Sequence, residues 1–223
     1  MPDFEQLTFG DRTARAYVRI PDGATAGVVV LHAWWGLNDD VIAYADRLAD
    51  AGFGVLAPDM FNGQVTAEIP EAERLSGEGD ASSPEVVAFN AVDRLAERLP
   101  TAARIATLAF SFGAPYATWT PSERPAVVGT VVYYGAWADS WVTKSNAPLL
   151  GHFAEDDPFT SAEEVSAFET AFRNAGRAIT THVYPGTKHW FAEPSRPEFD
   201  SKAAELAFER TGVFLRRVML DQG

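Results

Sequence analysis

The sequence predicts an α/β protein: a mostly parallel central sheet with helices on both faces. Two observations carry this. Short continuous apolar runs, as at 26–31, 126–134 and 148–153, have the length of strands without alternation, which suits strands buried on both faces. Between them lie longer stretches whose apolar residues recur at helical spacing, as at 38–51 and 84–99. Strands alternating with helices make βαβ units and hence a parallel sheet. The 223 residues, 47% hydrophobic and 22% charged, suit a single domain over 1–223 with a substantial core.

Each element has its own signal. Residues 13–20 alternate well enough for a half-exposed strand near a sheet edge, and Pro21-Asp22-Gly23 turns the chain. The buried strand 26–31 leads into the loop His32-Ala33-Trp34-Trp35-Gly36-Leu37-Asn38. Asn38 suits the N-cap of a helix through Ala51, with Val41, Tyr44, Ala45, Leu48 and Ala49 on one stripe and Gly52 as its stop. Residues 53–57 are the next strand, closed by Pro58-Asp59. The stretch 61–83, rich in Gly, Pro, Glu and Asp, reads as irregular, in the manner of a lid or binding loop. A helix follows over 84–99, ended by Pro100, and then a strand through Phe110. Strands are expected at 126–134 and 148–153. Ser161 and Glu164 have capping-box spacing for a helix reaching Asn174-Ala175-Gly176. Residues 178–184 alternate as a final strand, and 199–219 form a closing helix.

Composition removes several function classes. A net charge of −13 repels phosphate backbones and there is no Lys/Arg cluster, so nucleic acid is not an expected partner. No apolar run approaches the ~18 residues of a membrane span. The start, Met1-Pro2-Asp3-Phe4-Glu5, has neither the basic nor the apolar region of a secretory signal. The expectation is a cytoplasmic protein, monomeric or a small homo-oligomer, away from membranes. With no cysteine, the chain has no disulfide, no thiolate metal site and no cysteine nucleophile.

Chemistry concentrates where the strand 104–110 ends. Ala109-Phe110-Ser111-Phe112-Gly113 approximates G-x-S-x-G, a sharp strand-to-helix turn that exposes a serine hydroxyl at the top of a sheet. Gly113 supplies the small residue that turn needs, Ala114 keeps the next position small, and Pro115 suits a first helical turn. Ala109 departs from the pattern, which has glycine there. A serine needs a base. Of the four histidines, only His189 lies downstream of Ser111 and just past a predicted strand; His152 and His182 fall inside strands and read as structural. The carboxylate that orients the base falls in Glu155-Asp156-Asp157, with Asp139 as a second candidate. Ser, then Asp, then His, each after its own strand, is the α/β-hydrolase order. Backbone N–H groups of Phe112 and of Trp34, in the loop after the early strand, are the candidate oxyanion donors.

Taken together, five ordered blocks resemble the dienelactone hydrolase family across nearly the whole chain: Leu31 to Asn38, Leu56 to Phe61, Ala109 to Ala114, Ala154 to Phe159 and Tyr184 to Phe191. The resemblance implies an α/β-hydrolase fold with no large cap and no cofactor or metal. It picks Asp157, just before Pro158-Phe159, as the acid, and supports Trp34 and Phe112 as the oxyanion hole. The best-known members carry cysteine at the elbow and a glutamate in the early loop, where this chain has Ser111 and Ala33. They also bind a substrate carboxylate with arginines, one of them at the position of Glu193 here. The expected activity is therefore hydrolysis of small neutral esters or lactones through an acyl-enzyme, rather than of dienelactone itself. Trp35, Tyr134, Trp190 and Glu193 are candidates for the pocket lining. The alternative, kept open by Ala109, is a non-catalytic protein of the same fold that binds a ligand or partner.

Overall fold

The computed structural model describes residues 4–9, 12–77, 83–100, 103–137 and 144–220. Eight strands form one sheet in the order β1-β2-β4-β3-β5-β6-β7-β8. The strands are β1 (Phe4–Phe9), β2 (Arg12–Arg19), β3 (Ala26–Leu31), β4 (Gly54–Pro58), β5 (Arg104–Phe110), β6 (Val127–Tyr133), β7 (Leu149–Asp156) and β8 (Ile179–Lys188). β1 pairs antiparallel with β2, and β2 antiparallel with β4; the remaining pairs are parallel. The helices are α1 (Asp39–Asp50), α2 (Ile69–Gly77), α3 (Pro84–Arg98), α4 (Ala114–Glu123), α5 (Ala162–Asn174) and α6 (Ser201–Met219).

The unbroken apolar strands follow from a sheet covered on both sides. Every residue of β3 is buried. Its alternate side chains enter different cores: Val28 and Val30 join Val41, Tyr44 and Leu48 of α1 and Phe214, Leu215 and Val218 of α6. Val29 and Leu31 face the other way, onto Val87, Val92 and Leu95 of α3, Ala117 of α4 and Phe168 and Phe172 of α5. The period of two along each strand thus distributes one run between two layers. Asn38 caps α1 by accepting the Val41 N–H, and Ser161 with Glu164 closes the capping box of α5.

The sequence reading misplaces several boundaries. Residues 4–9, given no element, form the edge strand and pair with β2, which lies one strand in, near the edge as its alternation indicates. The stretch 61–83 is not wholly irregular: α2 occupies part of it, burying only Ala72 and Leu75 and joined by a Glu71–Arg74 pair on its surface. So small a buried face gives little periodic signal. Phe53 precedes β4 rather than opening it, and α6 begins at Ser201 because Asp200 accepts the Lys202 and Ala203 N–H groups as its N-cap. β8 runs four residues beyond Tyr184, carrying Pro185 and Gly186 within it. Among the described residues, no cap domain interrupts the sheet and no helix is long and apolar enough to cross a membrane.

Candidate active site

Ligand sites in open α/β sheets lie at the carboxyl ends of the strands. There, β5 runs straight into a single 3-10 turn, Ser111–Gly113, before α4. Ser111 has φ +42°, a left-handed conformation rarely adopted outside glycine. Such strain persists only where the surroundings fix it. Gly113 shows how: a Cβ there would lie 2.8 Å from Leu31 Cβ and 3.0 Å from the His32 carbonyl oxygen. The elbow therefore presses directly on the end of β3, bringing Ser111 beside the loop that holds Trp34. Gly135 serves the same closeness from β6, since its Cβ would lie 2.5 Å from Ala114 Cβ and 3.1 Å from the Ser111 carbonyl. Ala109, by contrast, sits in regular strand register with Leu31 and Val132 and has no need of glycine.

Three loops converge on the serine. The Ser111 hydroxyl lies 2.9 Å from His189 Nε2. On the other side of the ring, His189 Nδ1 is 2.8 Å and 2.7 Å from the two carboxylate oxygens of Asp157. This fixes the tautomer: Nδ1 carries the proton and donates it to Asp157, leaving Nε2 to accept from the serine. Asp157 Oδ1 also accepts the N–H groups of Phe159 and Thr160, at 2.8 Å and 3.0 Å. Backbone donors thus hold the carboxylate in place. The side chains of His189 and Asp157 are 3% and 2% exposed, so the pair sits out of water. Asp156 ends β7 and is exposed; Asp139 lies outside the described residues.

Aromatic rings pack round the imidazole. Tyr134, Phe159 and Trp190 have ring centroids 4.9 Å, 5.0 Å and 5.0 Å from that of His189. Tyr134 and Trp190 share the left-handed backbone of Ser111, with φ of +41° and +68°. Three unusual conformations around one histidine mark the place where the fold is most constrained. Trp35, expected to line a pocket, is only 1% exposed and lies behind Trp34 and Trp190. Phe159, which the sequence reading passed over, is 46% exposed and touches Trp34 as well as His189. Its position directly after Asp157-Pro158 was the signal available.

Glu193 departs most from expectation. It is buried, and Tyr134 donates its hydroxyl proton to Oε1 at 2.9 Å. Burial pushes its carboxyl up to about 8. At neutral pH it is therefore chiefly protonated, so it does not present the carboxylate charge that the sequence suggested. The early loop is held by His32, whose Nδ1 donates to the Ala33 carbonyl while Nε2 accepts the Met60 N–H. Asp59 accepts the N–H groups of Phe61 and Gly63, anchoring the loop after β4. His152 is structural: it bonds Tyr184 through Nδ1 and Thr211 through Nε2, and burial holds it neutral.

A parallel sheet carrying a strained serine against a histidine and an aspartate at its carboxyl edge defines an α/β hydrolase. Comparison places the chain within that class. A model of the dienelactone hydrolase family matches residues 14–219, and the chain belongs to that family, whose enzymes hydrolyse esters and lactones. It is 25% identical to protein usf of Aquifex pyrophilus, over 92% of this chain and 94% of that one. It is 26% identical to carboxymethylenebutenolidase 1 of Cupriavidus pinatubonensis, covering 88% of each. Its fold is also that of a dienelactone hydrolase-like promiscuous phosphotriesterase from metagenomic libraries, with a TM-score of 0.86, 20% identity and 98% of each chain covered.

Proposed function

We propose that the chain is a serine hydrolase of small, uncharged carboxylic esters or lactones, working through an acyl-enzyme on Ser111, His189 and Asp157. The observation that carries this reading is the continuous hydrogen-bonded path from Ser111 Oγ through the imidazole to Asp157. In the first half-reaction Ser111 Oγ attacks the carbonyl carbon as His189 Nε2 takes its proton. The backbone N–H groups of Trp34 and Phe112 receive the developing oxyanion. The tetrahedral intermediate collapses, and His189 returns the proton to the departing alkoxide. In the second half-reaction the same nitrogen deprotonates water, which attacks the acyl carbon and restores the serine. Asp157 keeps the ring in the required tautomer and stabilises the imidazolium.

The uncharged character of the substrate follows from what surrounds the base. Trp34 and Phe159 supply partly exposed aromatic surface, backed by Tyr134 and Trp190. The position four residues past His189 holds a buried glutamate in place of a cation. A net charge of −13 further disfavours anions. Steady-state kinetics test both parts. Ser111→Ala folds normally and loses on the order of 10⁴-fold or more in kcat; near-full esterase activity in that variant would refute the assignment. A matched pair of esters differing only by a carboxylate gives a higher kcat/KM for the neutral member. Faster turnover of the anionic member contradicts the substrate class.

A further inference from the structure

Of the three rings around the imidazole, one is pinned and two are not. The bonds to Ser111 and Asp157 lie in the plane of the His189 ring and fix its two ends. Rotation about the line between those ends is resisted only by what packs on the faces of the ring. Phe159 has no polar atom and is largely exposed, and the Trp190 indole N–H has no protein partner. Tyr134 is fully buried, and its hydroxyl donates to Glu193 Oε1 at 2.9 Å.

Every polar group of Tyr134 is bonded, each to a different part of the site. The residue follows β6 directly, in left-handed backbone. Its N–H donates to the His152 carbonyl of β7 at 2.7 Å. Its carbonyl accepts the Thr160 hydroxyl at 3.2 Å, and Thr160 in turn donates its N–H to Asp157 Oδ1. Its own hydroxyl reaches the loop that follows His189. Two turns shape that loop: the Phe191 N–H bonds the Lys188 carbonyl at 3.1 Å, and the Glu193 N–H bonds the Trp190 carbonyl at 3.0 Å. They return the chain to Tyr134 four residues after the base. Tyr134 therefore joins the loop of the acid to the loop of the base, and Glu193 is the closing link.

Given the serine-hydrolase function proposed above, we infer that Glu193 is a positioning residue for the base: through Tyr134 it holds the face of His189 and the course of the loop that carries it, and it does not touch substrate. Its side chain is buried away from the mouth of the site. The groups that face its carboxyl are Tyr134 of β6, Asp40 of α1, and Arg196 and Glu198 of its own loop; none belongs to the triad. Burial pushes that carboxyl up to about 8, so at neutral pH the link sets no negative charge behind the imidazole. A carboxylate there would favour the protonated form of His189, which cannot take the serine proton.

Ester kinetics on the full chain test this, with circular dichroism and melting temperature establishing that each variant folds. Glu193→Ala leaves Tyr134 without its acceptor; kcat falls about 10- to 100-fold, the cost of a displacement on the order of 1 Å, while KM changes less than about twofold. Tyr134→Phe keeps the ring, removes only the donor of the link and gives a loss of the same order. The double variant loses no more than the worse single variant, because both break one link. Glu193→Gln keeps an acceptor for Tyr134 and regains most of kcat. With an active wild type, a Glu193→Ala variant of unchanged kcat, a loss confined to KM, additive losses in the double variant, or no recovery in Glu193→Gln would each overturn the inference and leave the proposed function standing. A folded wild type without esterase activity overturns the proposed function, and the inference with it.

Discussion

Glu193 shows how far a single residue's environment can depart from its sequence context. In the chain it is a loop acid between Ala192 and Pro194. In the fold it is buried, with Tyr134, 59 residues away, donating to one oxygen and the other oxygen without a protein partner. No local pattern reports a contact at that separation, so the burial was not legible, whereas the position itself was. Its titration has a direct consequence for stability. Burial raises the folded carboxyl from 4.5 to about 8, with Asp40 and Glu198 adding to the rise and Arg196 opposing it. Between those values the unfolded chain has released the proton that the native state still holds. Native stability therefore falls as pH rises through that window and levels off above about 8. Glu193→Gln keeps an acceptor for Tyr134 and removes the titration. Thermal melts across the window will show a shallower decline for the variant than for the wild type; parallel curves would contradict the buried, protonated state.

At the scale of elements, the elbow explains why an imperfect motif still makes the turn. The position that must be small is the one pressed on another strand. That is Gly113, against the end of β3, and not Ala109, which lies in β5 with ordinary strand neighbours on both sides. Ala109→Gly is accordingly predicted to leave kcat within a few-fold and to cost about 1 kcal/mol of stability, through added freedom in the unfolded chain. Chemical denaturation alongside ester kinetics measures both, and a large gain in kcat would show that the methyl group obstructs the turn. The same scale separates what could be read from what could not. β3, β5 and β6 were legible because burial on both faces leaves an unbroken apolar signature. β1 and α2 were not. β1 shows Phe4 and Leu7 among polar residues and gains its place from pairing with β2, while α2 buries two side chains only.

For the whole molecule, the site is a product of topology. Ser111, Asp157 and His189 come from the ends of β5, β7 and β8, and the sheet order brings the three loops together at one edge. Their order along the chain was legible because each follows its own strand, and parallel strands all end on the same side. The rings that enclose the imidazole were only partly legible: Tyr134 and Trp190 stand next to obvious strand ends, whereas the exposed face of Phe159 depends on how three loops meet. The central claim is that this assembly activates one serine. Its most direct test is the intact mass of the protein after exposure to a small fluorophosphonate, for the wild type, Ser111→Ala and His189→Ala. The account predicts one stoichiometric adduct on the wild type and none on either variant. An unmodified, folded wild type, or an adduct that persists in Ser111→Ala, would contradict it.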